Sequence, residues 1–156
     1  MMKQKSHPAQ VDDSDIRGID STPAPLNIKP PYKVETFGLY MLTHPNGITA
    51  LNTNARTFAD FDKNGTGKQF YTTCLHTDIA KLRNQYGVDV SGEPVKYVSR
   101  HGYSTTFTSY RIADRKAAAR AVVLVNRWRT ERGECHLPAE YSQQLINQFP
   151  DTADLK

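Results

Sequence analysis

An α+β fold, helices around one β-hairpin, is predicted by three observations. Leu75, Ile79, Leu82 and Tyr86 fall at i, i+4, i+7 and i+11, a narrow helical stripe. Two extended runs over 88–100 and 103–112, rich in Val, Tyr, Thr and Phe, meet across His101-Gly102 as a hairpin with a basic, aromatic tip. A second helical stripe follows at once, made of Ala117, Ala121, Leu124, Val125 and Trp128. The 156 residues allow one domain at the usual ~100–200 residues each. Their 38% apolar content lies below the roughly 45–50% of ordinary globular chains, so some segment adds little to a core.

The first 31 residues are that segment. They mix Lys, Asp and Ser with five prolines (Pro8, Pro23, Pro25, Pro30, Pro31), and their scattered apolar residues follow neither a helical nor a strand period. A flexible arm over 1–31 is expected, one that either leads into the fold or reaches a partner. From Tyr32, Val34, Phe37 and Met41 recur at helical spacing with Tyr40 beside them, and His44-Pro45-Asn46-Gly47 breaks the run, which predicts a helix over 32–43. Thr49 can cap a short helix over 50–58 with Leu51 and Ala55 on its inner face. The polar stretch Asp60 to Lys68 reads as a loop.

The next helix is expected over 69–86, stopped by Gly87. Opposite its stripe stand Thr73, Thr77, Lys81 and Asn84, flanked by Thr72 and His76. After the hairpin, Asp114 can cap a helix running to about Arg132, with Arg115, Lys116, Arg120, Arg127 and Arg129 off the apolar stripe and Gly133 at its end. Pro138 opens a last short helix in which Tyr141, Leu145 and Phe149 are four apart. The chain therefore divides into the arm, a domain over 32–112, a basic amphipathic helix over 113–133 and an acidic tail over 134–156.

The formal net charge is +4, but its distribution says more. Residues 1–65 hold seven basic and seven acidic side chains, 66–132 hold twelve and five, and 133–156 hold one and four. A middle block of +7 spanning a helix, a hairpin and a second helix is an electrostatic footprint suited to phosphate.

Several other functions are disfavoured. Cys74 and Cys135 cannot build a disulfide framework, no apolar h-region follows the polar start, and the longest apolar run, 121–125, is far short of the ~20 residues that cross a bilayer. A cytoplasmic protein without membrane association is expected. Asp60-Phe61-Asp62-Lys63-Asn64-Gly65 copies the first half of a calcium loop, but positions nine and twelve would be Lys68 and Tyr71, so the bidentate carboxylate is missing. Neither Cys74 with His76 nor Cys135 with His136 has the spacing of a structural zinc site. Gly65-Thr66-Gly67-Lys68 lacks phosphate-loop spacing, with Gln69 where the magnesium-binding hydroxyl belongs. No nucleophile stands beside an oriented base, so neither enzyme activity nor a cofactor is expected.

Helix, short helix, longer helix, hairpin is the order of a winged helix-turn-helix, here with a long additional C-terminal helix. The stretch Cys-Leu-His-Thr-Asp-Ile-Ala-Lys-Leu-Arg (74–83), Gly87-Val88-Asp89-Val90, Gly102 and Tyr110-Arg111-Ile112 resembles a family of small winged helix-turn-helix proteins of bacteriophages and prophages. Ile48-Thr49 stands where that family has its Ile-Thr helix, and Leu75, Ile79, Leu82 and Arg83 where it has its recognition-helix pattern. The resemblance covers about 34–112, and the 60–68 insertion departs from the family's tight turn. It implies binding to double-stranded DNA, as a transcriptional regulator in a bacterial host cell.

On that reading Thr72, Thr73, His76, Thr77 and Lys81 face the major groove, and Lys96, Arg100, His101 and Tyr103 of the hairpin hold phosphate or enter a minor groove. The apolar face of the 114–132 helix either packs on the domain or forms a homodimer seam that would repeat the half-site. The alternative function, from another class, is a phage protein-interaction module that binds and redirects a host protein.

Overall fold

The computed structural model describes residues 28–53 and 67–155. Its elements are α1 (Lys33–Leu42), α2 (Leu75–Ala80) continuing into a π-helical turn (Lys81–Gln85), β1 (Val90–Val98), β2 (Ser104–Ile112), α3 (Arg115–Glu131), α4 (Ala139–Asn147) and a 3-10 turn (Thr152–Leu155). This is a mixed fold of helices and one two-stranded antiparallel sheet. No helix among the described residues is long and apolar enough to cross a membrane.

α1 is the centre of the molecule. Every residue from Glu35 to Leu42 is buried, so the helix is covered on all sides rather than along the single stripe that Val34, Phe37 and Met41 suggested. Phe70 packs on it from the segment before α2, with ring centroids 4.9 Å from Phe37 and 5.8 Å from Tyr40. α3 crosses it on the other side and buries Ala117, Ala118, Ala121, Val122, Leu124, Val125 and Trp128. The stripe offered as a possible dimer seam is thus spent inside one chain, because α1 needs a cover and α3 supplies it. Leu137, Leu145 and Phe149 complete this layer, so the acidic segment after Gly133 is part of the core and not only a tail.

Arg132 and Glu35 hold the α1–α3 contact by charge. The guanidinium donates from Nε and Nη2 to the two carboxylate oxygens at 2.8 and 2.9 Å, with side-chain exposures of 4% and 0%. Hydrogen bonding to Glu35 holds the Arg132 pKa above its ordinary value. Arg132 also donates to the Lys29 carbonyl and accepts the Lys29 N–H at its own, which ties the start of the described chain to the end of α3.

Two capping expectations are met at α3: the Asp114 carboxylate accepts the Ala117 N–H at 2.8 Å, and Gly133 follows the helix at φ +88°. The helix expected over 69–86 begins later, at Leu75. Residues 70–73 combine two aromatic and two β-branched side chains, which favour extended backbone, and the Thr72 N–H donates to the Thr53 carbonyl instead of a helical partner. At the other end Gly87 adopts φ +69°, and Val88 N–H reaches back to the Leu82 carbonyl, closing the helix as the sequence predicts. Of the helix expected over 50–58, only a turn through Thr53 is described: Thr49 Oγ1 accepts the Leu51 N–H at 3.3 Å, and the remainder lies outside the described residues, as do most of the 60–68 loop and the arm to residue 27.

Candidate nucleic-acid interface

The hairpin is anchored at its base and exposed for most of its length. Val90 and Ile112 are buried, whereas every β1 residue from Gly92 onward is exposed, so strands about 30 Å long at ~3.3 Å per residue carry the tip well away from the core. Tyr110 is the residue that fixes this projection. Its backbone bridges Ile48, its ring packs across Gly92, where an added Cβ would come within 3.2 Å of Cε1, and the Arg83 guanidinium lies 5.7 Å above the ring centroid. Its hydroxyl shares a hydrogen bond with His76 Nδ1 at 2.5 Å. One side chain therefore sets α2 against the hairpin.

Arg83 adds a second lock by donating from Nε and Nη2 to the Val90 carbonyl at 2.9 and 2.5 Å. A third sits at the start of α2. Thr72 Oγ1 donates to Asp78 Oδ2 at 2.6 Å and accepts the Cys74 N–H at 3.1 Å, while Lys33 Nζ reaches both Thr72 and Asp78. The network supplies the helix start with an anion at Asp78 and satisfies the Cys74 N–H.

These contacts sort the residues that the sequence proposed. Thr72 does not face outward: it is 6% exposed and its hydroxyl is fully engaged at the helix start. Its place beside Thr73 in a helical pattern suggested exposure, but the chain is not helical there. Thr73, His76, Thr77 and Lys81 are exposed or partly exposed, with Thr73 just outside α2 and Lys81 opening the π-helical turn. His76 has one ring nitrogen committed to Tyr110 and the other, Nε2, facing out of that pair. Lys96, Arg100, His101 and Tyr103 are exposed on the hairpin, Tyr103 at 77%.

Ala50, Leu75, His76, Thr106, Phe107, Thr108 and Tyr110 line a cleft of about 120 Å³ where α2 meets β2. Lys96 pairs with Thr106 in register and shares its face of the sheet, so α2 and one face of the hairpin flank a common hollow. Thr106, Thr108, Tyr110 and Arg83 do not stand out as site residues in the sequence. The period-2 alternation of β2 from the buried Ile112 and Tyr110 is the signal that marks the threonines.

The +7 block is not one uniform surface. Arg111, Arg115, Arg127, Arg129 and Arg132 form ion pairs with Glu93, Asp151, Glu131, Glu134 and Glu35 respectively. Among the described residues Lys81, Arg83, Lys96, Arg100, Lys116 and Arg120 have no acidic partner, and Arg83 and Arg120 donate to the Val90 and Tyr86 carbonyls instead. Four of these six lie on the α2 segment and the hairpin. Among the described residues no group of three or more His, Cys, Asp or Glu side chains could hold a metal ion.

No protein-family model matches the chain, nor does any curated protein or solved structure.

Proposed function

We propose that the chain is a winged helix-turn-helix protein that binds double-stranded DNA, a phage or prophage regulator acting in the bacterial cytoplasm. The observation that carries this reading is the set of exposed side chains on two adjoining elements, His76, Thr77 and Lys81 on the α2 segment and Lys96 and Arg100 on the hairpin, with the two elements joined by the His76–Tyr110 contact and the three cations without an acidic partner among the described residues. α2 takes the recognition role, with His76 Nε2 and the Thr77 hydroxyl directed to base edges and Lys81 to phosphate. The hairpin is the wing, and Lys96 and Arg100 neutralise the backbone while Tyr103 and His101 extend its tip. No arginine stands on the first turns of α2 to grip guanine bidentately, so one α2 confers only modest sequence preference.

The test is a titration of labelled mixed-sequence duplex. Duplex binding at about 50 mM salt that weakens steeply by about 200 mM is expected. A protein without duplex affinity at low salt overturns the reading, and recovery of one stoichiometric, nuclease-resistant host protein would favour the interaction-module alternative.

A further inference from the structure

The two edges of the hairpin are not equivalent. Tyr110 exchanges both backbone hydrogen bonds with Ile48, each at 2.8 Å, so Tyr110 and its cross-strand partner Gly92 turn their N–H and C=O groups away from each other. At the far end Ser99 N–H donates to the Tyr103 carbonyl at 2.7 Å, which makes 99 and 103 an inwardly bonded pair. Both observations give the same parity: even-numbered residues of each strand present their backbone groups outward. On β1 those positions include Pro94, which has no N–H, and Lys96, two residue types that guard an edge against pairing. On β2 they are Ser104, Thr106 and Thr108, with neither proline nor charge. Among the described residues Ile48 bridges β2 only at Tyr110 and a turn follows over 50–53, so none of them pairs with these three, which lie beside the cleft.

We propose that Ser104–Thr108 is a homodimerisation edge, pairing antiparallel with the same segment of a second copy about a two-fold axis at Thr106. The register is self-complementary: Thr106 faces Thr106 of the second copy, Ser104 faces its Thr108, and each pair exchanges two backbone hydrogen bonds. On the even-numbered face only hydroxyl side chains oppose one another, a favourable cross-strand combination, whereas the β1 edge in the same role would bring Lys96 beside Lys96. The odd-numbered face favours the same pairing. Val95 and Tyr97 are 44% and 42% exposed, and Tyr97 meets Phe107 edge to face at 5.8 Å. Pairing places Phe107 diagonal to Phe107 of the second copy, so two apolar patches merge into one. Five residues a side is a small interface, which makes the dimer reversible. Thr106 and Thr108 also line the cleft beside His76, so pairing is read in the absence of DNA, where its outcome is separate from that of duplex binding.

The register is tested by disulfide trapping in the full chain with Cys74→Ser and Cys135→Ser. Thr106→Cys lies on the axis at a separation of about 5.5 Å between Cα atoms and should cross-link at least tenfold faster than Thr105→Cys, whose Cα atoms stand more than about 7 Å apart. Equal rates, or no linked dimer at Thr106→Cys, overturn the proposal. Sedimentation velocity gives a second reading: the native chain should show a concentration-dependent dimer that Thr106→Pro abolishes. The outward N–H it removes is not used within the hairpin, and circular dichroism checks that the fold persists. A native chain that stays monomeric throughout contradicts the proposal, and the cysteine contrast decides it should Thr106→Pro misfold.

Discussion

The hairpin and α3 belong to the same basic stretch of sequence, yet they use it in opposite ways. On α3 and just beyond it, Arg115, Arg127, Arg129 and Arg132 are paired with carboxylates, leaving Lys116 and Arg120 without an acidic partner among the described residues, and the apolar stripe is buried against α1. On the hairpin, Lys96 and Arg100 have no acidic partner among the described residues, and Val95, Tyr97, Val98 and Tyr103 are all exposed. Net charge per segment counts cations, whereas a polyanion meets only those that no carboxylate already neutralises. The difference teaches that the basic block divides by pairing, into cations already neutralised, most of them on and just after α3, and cations left available.

The largest contrast is expected between the two regions' aromatic residues. Trp128 is 5% exposed and meets Tyr86 edge to face at 5.0 Å, so Trp128→Ala should lower unfolding free energy by about 3–5 kcal/mol. Tyr103→Ala at the hairpin tip should stay within about 0.5 kcal/mol of the native chain. Urea denaturation of both variants checks the pair, and a costly Tyr103→Ala would break the comparison. Glu35→Ala leaves the buried Arg132 guanidinium without its carboxylate and should also cost about 3–5 kcal/mol, read from the same denaturation midpoints.

A smaller effect separates positioning from contact at the start of α2. Thr72→Val removes the hydroxyl shared by Asp78 and the Cys74 N–H, and about 1–3 kcal/mol of stability should go with it. Thermal unfolding measures that loss; a Thr72→Val chain as stable as the native one would return Thr72 to the surface. The smallest effect is one of pH. Burial raises the Tyr40 phenol pKa, so the folded state favours the protonated form. Stability from this group is intact below about pH 10, where the unfolded phenol ionises, and is lost as pH rises beyond it. Tyr40→Phe should lessen that alkaline decline in urea midpoints taken between neutral pH and pH 11.

The elements were legible because their signals are local. Leu75, Ile79 and Leu82 mark α2 and its continuation, Asp114 and Gly133 bound α3, and the Val, Tyr and Thr runs mark the strands. The start of α2 was misplaced because Thr72 turns its side chain onto Asp78, six residues on, and no periodicity reports such a bond. The Glu35–Arg132 pair spans 97 positions and was invisible for the same reason. Thr73, His76, Thr77 and the hairpin cations do reach the surface, since exposure follows from the pattern. What positions them was hidden, since Tyr110, Arg83 and His76 meet only when α2 packs on the hairpin.

The central claim is that the available cations bind duplex DNA and the paired ones do not. The measurement is the slope of log affinity against log salt for duplex binding by two variants. Lys81→Gln with Lys96→Gln and Arg100→Gln should weaken binding and reduce the slope by roughly 2–3, at ~0.9 for each phosphate that no longer meets a cation. Arg127→Gln with Arg129→Gln should leave the slope unchanged. Equal slopes for both variants, or weakening confined to the second, would contradict the account.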